Sequence, residues 1–219
     1  MKNRFDLIVF DWDGTLIDSV QWITECLQQA ASDCGMPVPP AKLARSVIGL
    51  SLDRAMETLF PFAPKSDMPP LLAAYRRYYD QKILSQQDMF AGVPELLDAL
   101  RVQGYRLAVA TGKSRKALDH ALTATGSADW FHATRAANET ASKPDPLMLL
   151  ELMEALEALP GRTLMIGDSV HDLEMARNAE AEAVAVTCGA NDREELEVFE
   201  PLLVLGQAAE LRDFLLYVS

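Results

Sequence analysis

The chain carries two kinds of apolar pattern, and a long middle stretch has only one of them. Residues 7–10 form a short, uninterrupted apolar run, as expected of a strand covered on both faces. From Asp18 the period changes. Val20, Ile23, Leu27, Ala31 and Cys34 recur at spacings of three and four, Asp18 or Ser19 can cap the helix they predict, and Gly35 stops it. Pro37, Pro39 and Pro40 make a rigid loop, followed by a short helix over about 42–47 and a break at Gly49-Leu50. Ser51 caps a further helix with Leu52, Ala55, Met56 and Leu59 on one face. Pro61, Pro64, Pro69 and Pro70 bracket a loop, and a longer helix covers about 71–84. No strand is expected between residues 18 and 87.

Beyond Asp88 strands return. They are expected at 107–110, 131–134, 163–166, 183–186 and 202–205. Around them lie a helix opened by Val93-Pro94, one capped by Ser114 and stopped by Gly126, and one from Lys143-Pro144-Asp145-Pro146 to about residue 159. Another begins near Ser169, and a last one covers about 208–216. This alternation implies parallel strands joined by right-handed crossovers. The fold class is therefore α/β, with a Rossmann-like parallel-sheet core made of residues 1–17 and 88–219. Residues 18–87 are expected to form an all-helical cap inserted after the first strand.

Bulk properties narrow the function. At a net charge of −12 the chain is a poor nucleic-acid binder, because that affinity rests on neutralising phosphates. No apolar stretch approaches the ~20 residues of a membrane span. The residues before the first strand are too few for a signal peptide and lack a small-residue cleavage site. Cys26, Cys34 and Cys188 fit neither a disulfide framework nor a zinc spacing, and read as reduced thiols of a cytoplasmic protein.

Ligands of open parallel sheets bind beyond the carboxyl ends of the strands, and the chain places polar clusters at those ends. Asp11 and Asp13 close the first strand two residues apart, so both carboxylates point the same way. Gly14 allows a sharp turn and Thr15 adds a hydroxyl. Thr111-Gly112 closes the second strand, Lys143 precedes a helix, and Asp168 and Asp172 follow a later strand. Singly, each has a bland reading: a cap, a solvated lysine, a first-turn acid favoured by the helix dipole. In this order and at these ends they make a constellation.

The motifs Asp11-Trp12-Asp13-Gly14-Thr15, Thr111-Gly112-Lys113, Ser142-Lys143-Pro144 and Gly167-Asp168-Ser169-Val170-His171-Asp172 resemble those of the haloacid dehalogenase superfamily. The likeness covers nearly the whole chain and points to the helical-cap branch, similar to its phosphoglycolate phosphatase-like group. One departure is Glu180, where relatives commonly carry glycine, which questions how that helix ends. The resemblance implies a phosphatase acting on a small phosphorylated metabolite through an aspartyl-phosphate on Asp11. It also implies a backbone-carbonyl contribution of Asp13 to the metal site.

Charge alone gives much of the same chemistry. An attacking carboxylate and a phosphate dianion repel, and Asp11, Asp168 and Asp172 gathered at one edge are costly without a cation. Oxygen-only ligands suit Mg²⁺. Lys143 would neutralise further charge. Gly14, Thr15, Thr111 and Gly112 would offer hydroxyl or backbone donors to phosphoryl oxygens. Asp13 would pass a proton to the leaving alkoxide and take one from water afterwards. Arg45 and Arg54, around the Gly49-Leu50 break, are candidates for a substrate carboxylate or second phosphate. Lys113 is read as solvated, His171 as a surface histidine, and Trp12 and Trp22 as packing where core and cap meet.

Two other functions stay open. A sugar phosphomutase would use the same residues and return the phosphoryl group to substrate. A non-catalytic phospho-aspartate switch would belong to a different class, and Asp13 speaks against it. A dehalogenase would need neither Asp13 nor the metal set. A phosphonate-cleaving relative would need a Schiff-base lysine, for which the contexts of Lys42, Lys65 and Lys82 do not argue.

Overall fold

The structure is a computed structural model that describes residues 4–217. Six parallel strands form one sheet in the order β3-β2-β1-β4-β5-β6: β1 (Leu7–Phe10), β2 (Arg106–Thr111), β3 (Ala133–Ala136), β4 (Thr163–Gly167), β5 (Glu182–Val186) and β6 (Leu203–Leu205). The chain winds outward from β1 through β2 to β3, then returns to the other side of β1 and winds out through β4, β5 and β6. The switch point lies between β1 and β4, paired with Phe10 opposite Ile166. Strand alternation sends Ile8 and Phe10 into one core layer and Leu7 and Val9 into the other. Helices α5 (Val93–Val102) and α6 (Arg115–Thr125) cover the first face. Helices α7 (Leu147–Ala155) and α8 (Val170–Asn178) cover the second.

Between β1 and α5 the chain forms helices α1 (Val20–Asp33), α2 (Ala41–Arg45), α3 (Leu52–Leu59) and α4 (Met68–Tyr79). These carry their own apolar cluster, built on Ile23, Leu27, Met56 and Leu71. The insertion leaves and rejoins the core through adjoining backbone: Asp18 N–H donates to the Asp88 carbonyl and Phe90 N–H to that of Leu16. The last helix, α9 (Arg193–Glu197), is short, and a π-helical turn covers Asp213–Tyr217. No helix among the described residues is long and apolar enough to cross a membrane.

Several boundaries differ from the sequence expectation for local reasons. Helix α4 starts three residues early, with Pro69 and Pro70 inside its first turn, where a missing N–H breaks no helical bond. It also stops at Tyr79 rather than near residue 84, and Leu84 packs into the main core instead. Helix α7 ends at Ala155, because Glu157 takes a left-handed conformation. Helix α8 ends the same way. Glu180 has φ 56°, and Ala181 N–H donates to the Ala176 carbonyl, so glutamate occupies the left-handed closing position that glycine fills at lower cost.

Candidate active site

Asp11 follows β1 directly, and its N–H still donates to the Ile166 carbonyl, 2.9 Å. This ladder bond fixes the aspartate at the switch point, beside the end of β4. Position 12 faces the opposite way, so Trp12 is fully buried in the main core against Phe131, rings 6.3 Å apart. Position 13 returns to Asp11's side.

Lys143 Nζ donates to Asp11 Oδ1 and Asp172 Oδ1, each at 2.6 Å, and its side chain is 0% exposed. The lysine expected as a constellation member is thus sealed between two carboxylates. Asp172 Oδ2 accepts from the N–H and the hydroxyl of Ser169, so this residue is both a capping-box partner of α8 and a member of the charge cluster. Asp168 Oδ1 accepts from Thr15 Oγ1, 2.7 Å, and Oδ2 from Ala190 N–H, 2.7 Å. Gly14 has φ 81°, and a Cβ there would run into Asp168. A Cβ at Gly189 would also collide with Asp168, so the β5–α9 loop closes on the acid from the other side.

Carboxylate oxygens of Asp11, Asp168 and Asp172 lie within 4.8 Å of one another, all buried. Three acids surround one lysine, and the excess shows. Burial pushes the Asp11 carboxyl well above its ordinary range, with Lys143 opposing and Asp172 and Asp168 adding to the shift. Asp168 is pushed up to about 7 by burial and then by Asp172, against the hydrogen bonds from Thr15 and Ala190. Lys143 stays raised despite burial, because Asp11 and Asp172 hold its proton. Asp11 Oδ2 is buried with no hydrogen-bond partner. An orphaned carboxylate oxygen inside a three-acid cluster fits a hard divalent cation, which would satisfy it and offset the charge.

Asp13 is held differently. Its Oδ1 accepts from Ser19 Oγ, 2.7 Å, and its Oδ2 pairs with Lys113 Nζ, 2.9 Å. Ser19 is the residue at the start of α1, but its hydroxyl serves Asp13 rather than the helix end. Lys113 is not solvated: it is buried, and its ammonium also meets the Tyr79 hydroxyl and lies 4.8 Å from the Tyr79 ring centre. Burial alone would lower its pKa, but Asp13 and then Tyr79 outweigh it, leaving the value raised. Thr111 is buried, and its Oγ1 accepts from Lys113 N–H, 3.2 Å.

The cap closes over this floor. Ser51 N–H donates to Ser142 Oγ, and a Cβ at Gly112 would strike the Gly49 and Leu50 carbonyls. His171 is half-buried, its Nε2 2.9 Å from the Ser46 carbonyl, so it joins core to cap instead of facing solvent. Between floor and cap lies a cavity of ≈ 680 Å³, reached by Asp11, Asp13, Thr111, Gly112 and Lys113 from below and by Trp22, Tyr75 and Tyr79 from above. Neither arginine singled out from sequence lines it. Arg45 donates to the Gly189 carbonyl, 2.9 Å, and Arg54 pairs with Glu57 on the exposed face of α3. Sequence reasoning missed Ser19, Lys113 and Tyr79. The signal for Lys113 was present, since it lies two residues past Thr111 on the same strand-end loop.

Residues 8–186 match the family described as haloacid dehalogenase-like hydrolase. The chain belongs to that family. It is 34% identical over 211 residues to the "Probable phosphatase IndB" of Dickeya dadantii, covering 94% of this chain and 91% of the relative. It is 32% identical to a phosphoglycolate phosphatase of Vibrio vulnificus strain YJ016, covering 98% of each. A crystal structure described as a predicted phosphoglycolate phosphatase from Haemophilus somnus 129pt superposes with a TM-score of 0.83 at 26% identity, covering 97% of this chain and 98% of the other. Family and relatives together make the chain a haloacid dehalogenase-like phosphatase, a phosphoric monoester hydrolase.

Proposed function

We propose that this phosphatase hydrolyses the monoester of a small phosphorylated metabolite with Mg²⁺ bound at Asp11, Asp168 and Asp172, by way of an aspartyl-phosphate on Asp11. The observation that carries the reading is the orphaned, buried Asp11 Oδ2 at the switch point, inside a three-carboxylate cluster that one lysine does not neutralise. When bound, the cation would hold the nucleophile near a phosphoryl oxygen and offset the charge that develops there. The backbone carbonyl of Asp13 would contribute to the same site.

The chain's own residues supply the rest. Lys143 fixes the Asp11 carboxylate through Oδ1 and lowers the repulsion that a phosphate dianion would meet. Phosphoryl oxygens would be bound by Thr111 Oγ1 and by the backbone N–H at Gly112, donors placed where charge grows, whereas Gly14 N–H is given to the Ile17 carbonyl and the Thr15 hydroxyl to Asp168. Asp11 attacks phosphorus, the P–O bond to the leaving group breaks, and the departing oxygen takes a proton from Asp13. Asp13 then accepts a proton from the water that attacks phosphorus, releasing inorganic phosphate and restoring Asp11. A phosphomutase would instead deliver the phosphoryl group to a second hydroxyl of the substrate. No observation at this site favours that outcome over water.

The test uses Asp11→Asn and EDTA. Release of inorganic phosphate from a panel of metabolite monoesters should disappear in Asp11→Asn, vanish with EDTA and return with added Mg²⁺. Undiminished turnover by Asp11→Asn would remove the nucleophile. Isomerised sugar phosphate in place of inorganic phosphate would transfer the assignment to a mutase.

A further inference from the structure

We infer that the substrate is a phosphate monoester whose alcohol part is bulky and carries an aromatic ring, seated against an aromatic wall of the cap, rather than a two-carbon acid. The inference rests on the phosphatase reading above and concerns the half of the substrate that the catalytic groups do not touch.

The wall is built by α1 and α4. The rings of Trp22 and Tyr79 lie 4.1 Å apart at 33°, and Tyr75 stacks on Tyr79 at 5.6 Å and 28°. All three line the cavity, with Ile23, Leu27 and Leu50 extending the apolar surface. This wall is tied to the leaving-group side of the site. Tyr79 hydroxyl meets Lys113 Nζ, which pairs with Asp13 Oδ2 at 2.9 Å. Asp13 is the group that would protonate the departing oxygen, so the body attached to that oxygen begins beside Lys113 and has the three rings next to it.

Size points the same way. A two-carbon acid phosphate has about nine non-hydrogen atoms and fills roughly 200 Å³ at close-packed density, against a cavity of ≈ 680 Å³. Its carboxylate would need a cationic clamp. Lys113 is committed to Asp13 and Lys82 to Asp88. Arg76 and Lys116 also line the cavity, as exposed side chains alongside Asp53 and Asp80. Arg45 and Arg54 face elsewhere. Beside Lys113 and Asp13 the surface offered to the alcohol is the ring wall, and offset or edge-to-face ring contacts would add to simple burial there.

The experiment compares 2-phenylethyl phosphate, ethyl phosphate and 2-phosphoglycolate, all esters of alkyl alcohols, so that leaving-group chemistry does not mask binding. The expected kcat/KM for 2-phenylethyl phosphate exceeds the other two by about tenfold or more, a modest share of what burying one ring can supply. Trp22→Ala should collapse that ratio by about tenfold and Trp22→Phe should recover most of it, a pattern that general misfolding would not give. A higher kcat/KM for 2-phosphoglycolate, or a ratio unchanged in Trp22→Ala, would overturn the inference while leaving the phosphatase standing. Phosphate release that survives Asp11→Asn would overturn the reading of the site, and this inference with it.

Discussion

Replacing Lys143 by methionine isolates the charge balance on which the site depends. The side chain is fully buried and donates to Asp11 and Asp172 at 2.6 Å each, with Asp168 in the same cluster. Methionine keeps much of the volume and removes the cation. Breaking a buried pair by deleting one partner costs about 3–5 kcal/mol, because the charge left behind is uncompensated. Here the charge left behind can be discharged by protons. Asp11 and Asp168 have folded-state values above the ordinary carboxylate value of 3.8, the latter at about 7. A group raised in this way costs nothing below its unfolded value and takes stability away as the pH rises through the window between the two. In metal-free buffer at pH 8, Lys143→Met should therefore lose the full ~3–5 kcal/mol. At pH 5.5, with Asp168 largely protonated and Asp11 shifted in the same direction, the loss should shrink towards about 1–2 kcal/mol, the cost of unmade hydrogen bonds. Urea unfolding of wild type and variant at both pH values, in EDTA, reads the difference directly. A variant as stable as wild type at pH 8, or one hurt more at pH 5.5, would refute the account of three acids balanced by one lysine.

Two further expectations concern positions where sequence and structure meet less neatly. Glu180→Gly should raise stability by about 0.5–1 kcal/mol, the left-handed cost of a residue with a Cβ less the extra chain entropy of glycine; a lower urea midpoint in the variant would count against it. Arg54→Ala should leave kcat/KM within about twofold of wild type on every ester tested, since its guanidinium pairs with Glu57 on an exposed face, and steady-state assays with the three alkyl phosphates check this.

The floor of the site was legible because its signals are local. A strand that ends in Asp11-x-Asp13-Gly14, and a strand that ends in Gly167-Asp168-Ser169, announce themselves by composition and spacing, and parallel topology brings strand ends together without further information. Lys143 was legible only through its place in that order, since a lone lysine before a helix is ordinarily solvated. The roof was less legible. Arg45 and Arg54 have the chemistry of an anion clamp, but which way a surface side chain of a short helix points depends on how α2 and α3 dock, and no local pattern encodes that. Lys113 was misread for the converse reason. Its burial comes from Tyr79, thirty-four residues earlier in the chain, and from Asp13, and neither neighbour is visible from the loop itself.

The way the cap meets the core bears on turnover. The contacts named across the seam are largely polar and borne by backbone or small groups: Ser51 N–H to Ser142 Oγ, His171 to the Ser46 carbonyl, Arg45 to the Gly189 carbonyl, and the close approach of Gly112 to the Gly49 and Leu50 carbonyls. The larger apolar side chains stay in separate clusters on either side. A seam of this kind resembles the interdomain contacts that permit relative motion, not an obligate interface cut through a core. Each bond exchanged for one to water on opening costs only about 0.5–1.5 kcal/mol. Two contacts join cap and chemistry directly: Ser19 to Asp13, and Tyr79 to Lys113 to Asp13. A cap lifted away would take Tyr79 with it and leave Lys113 and Asp13 exposed to water. Closure would then do two jobs in one movement: it would bring the aromatic wall against the alcohol, and it would complete the environment of Asp13, the proposed proton donor to the alcohol's oxygen.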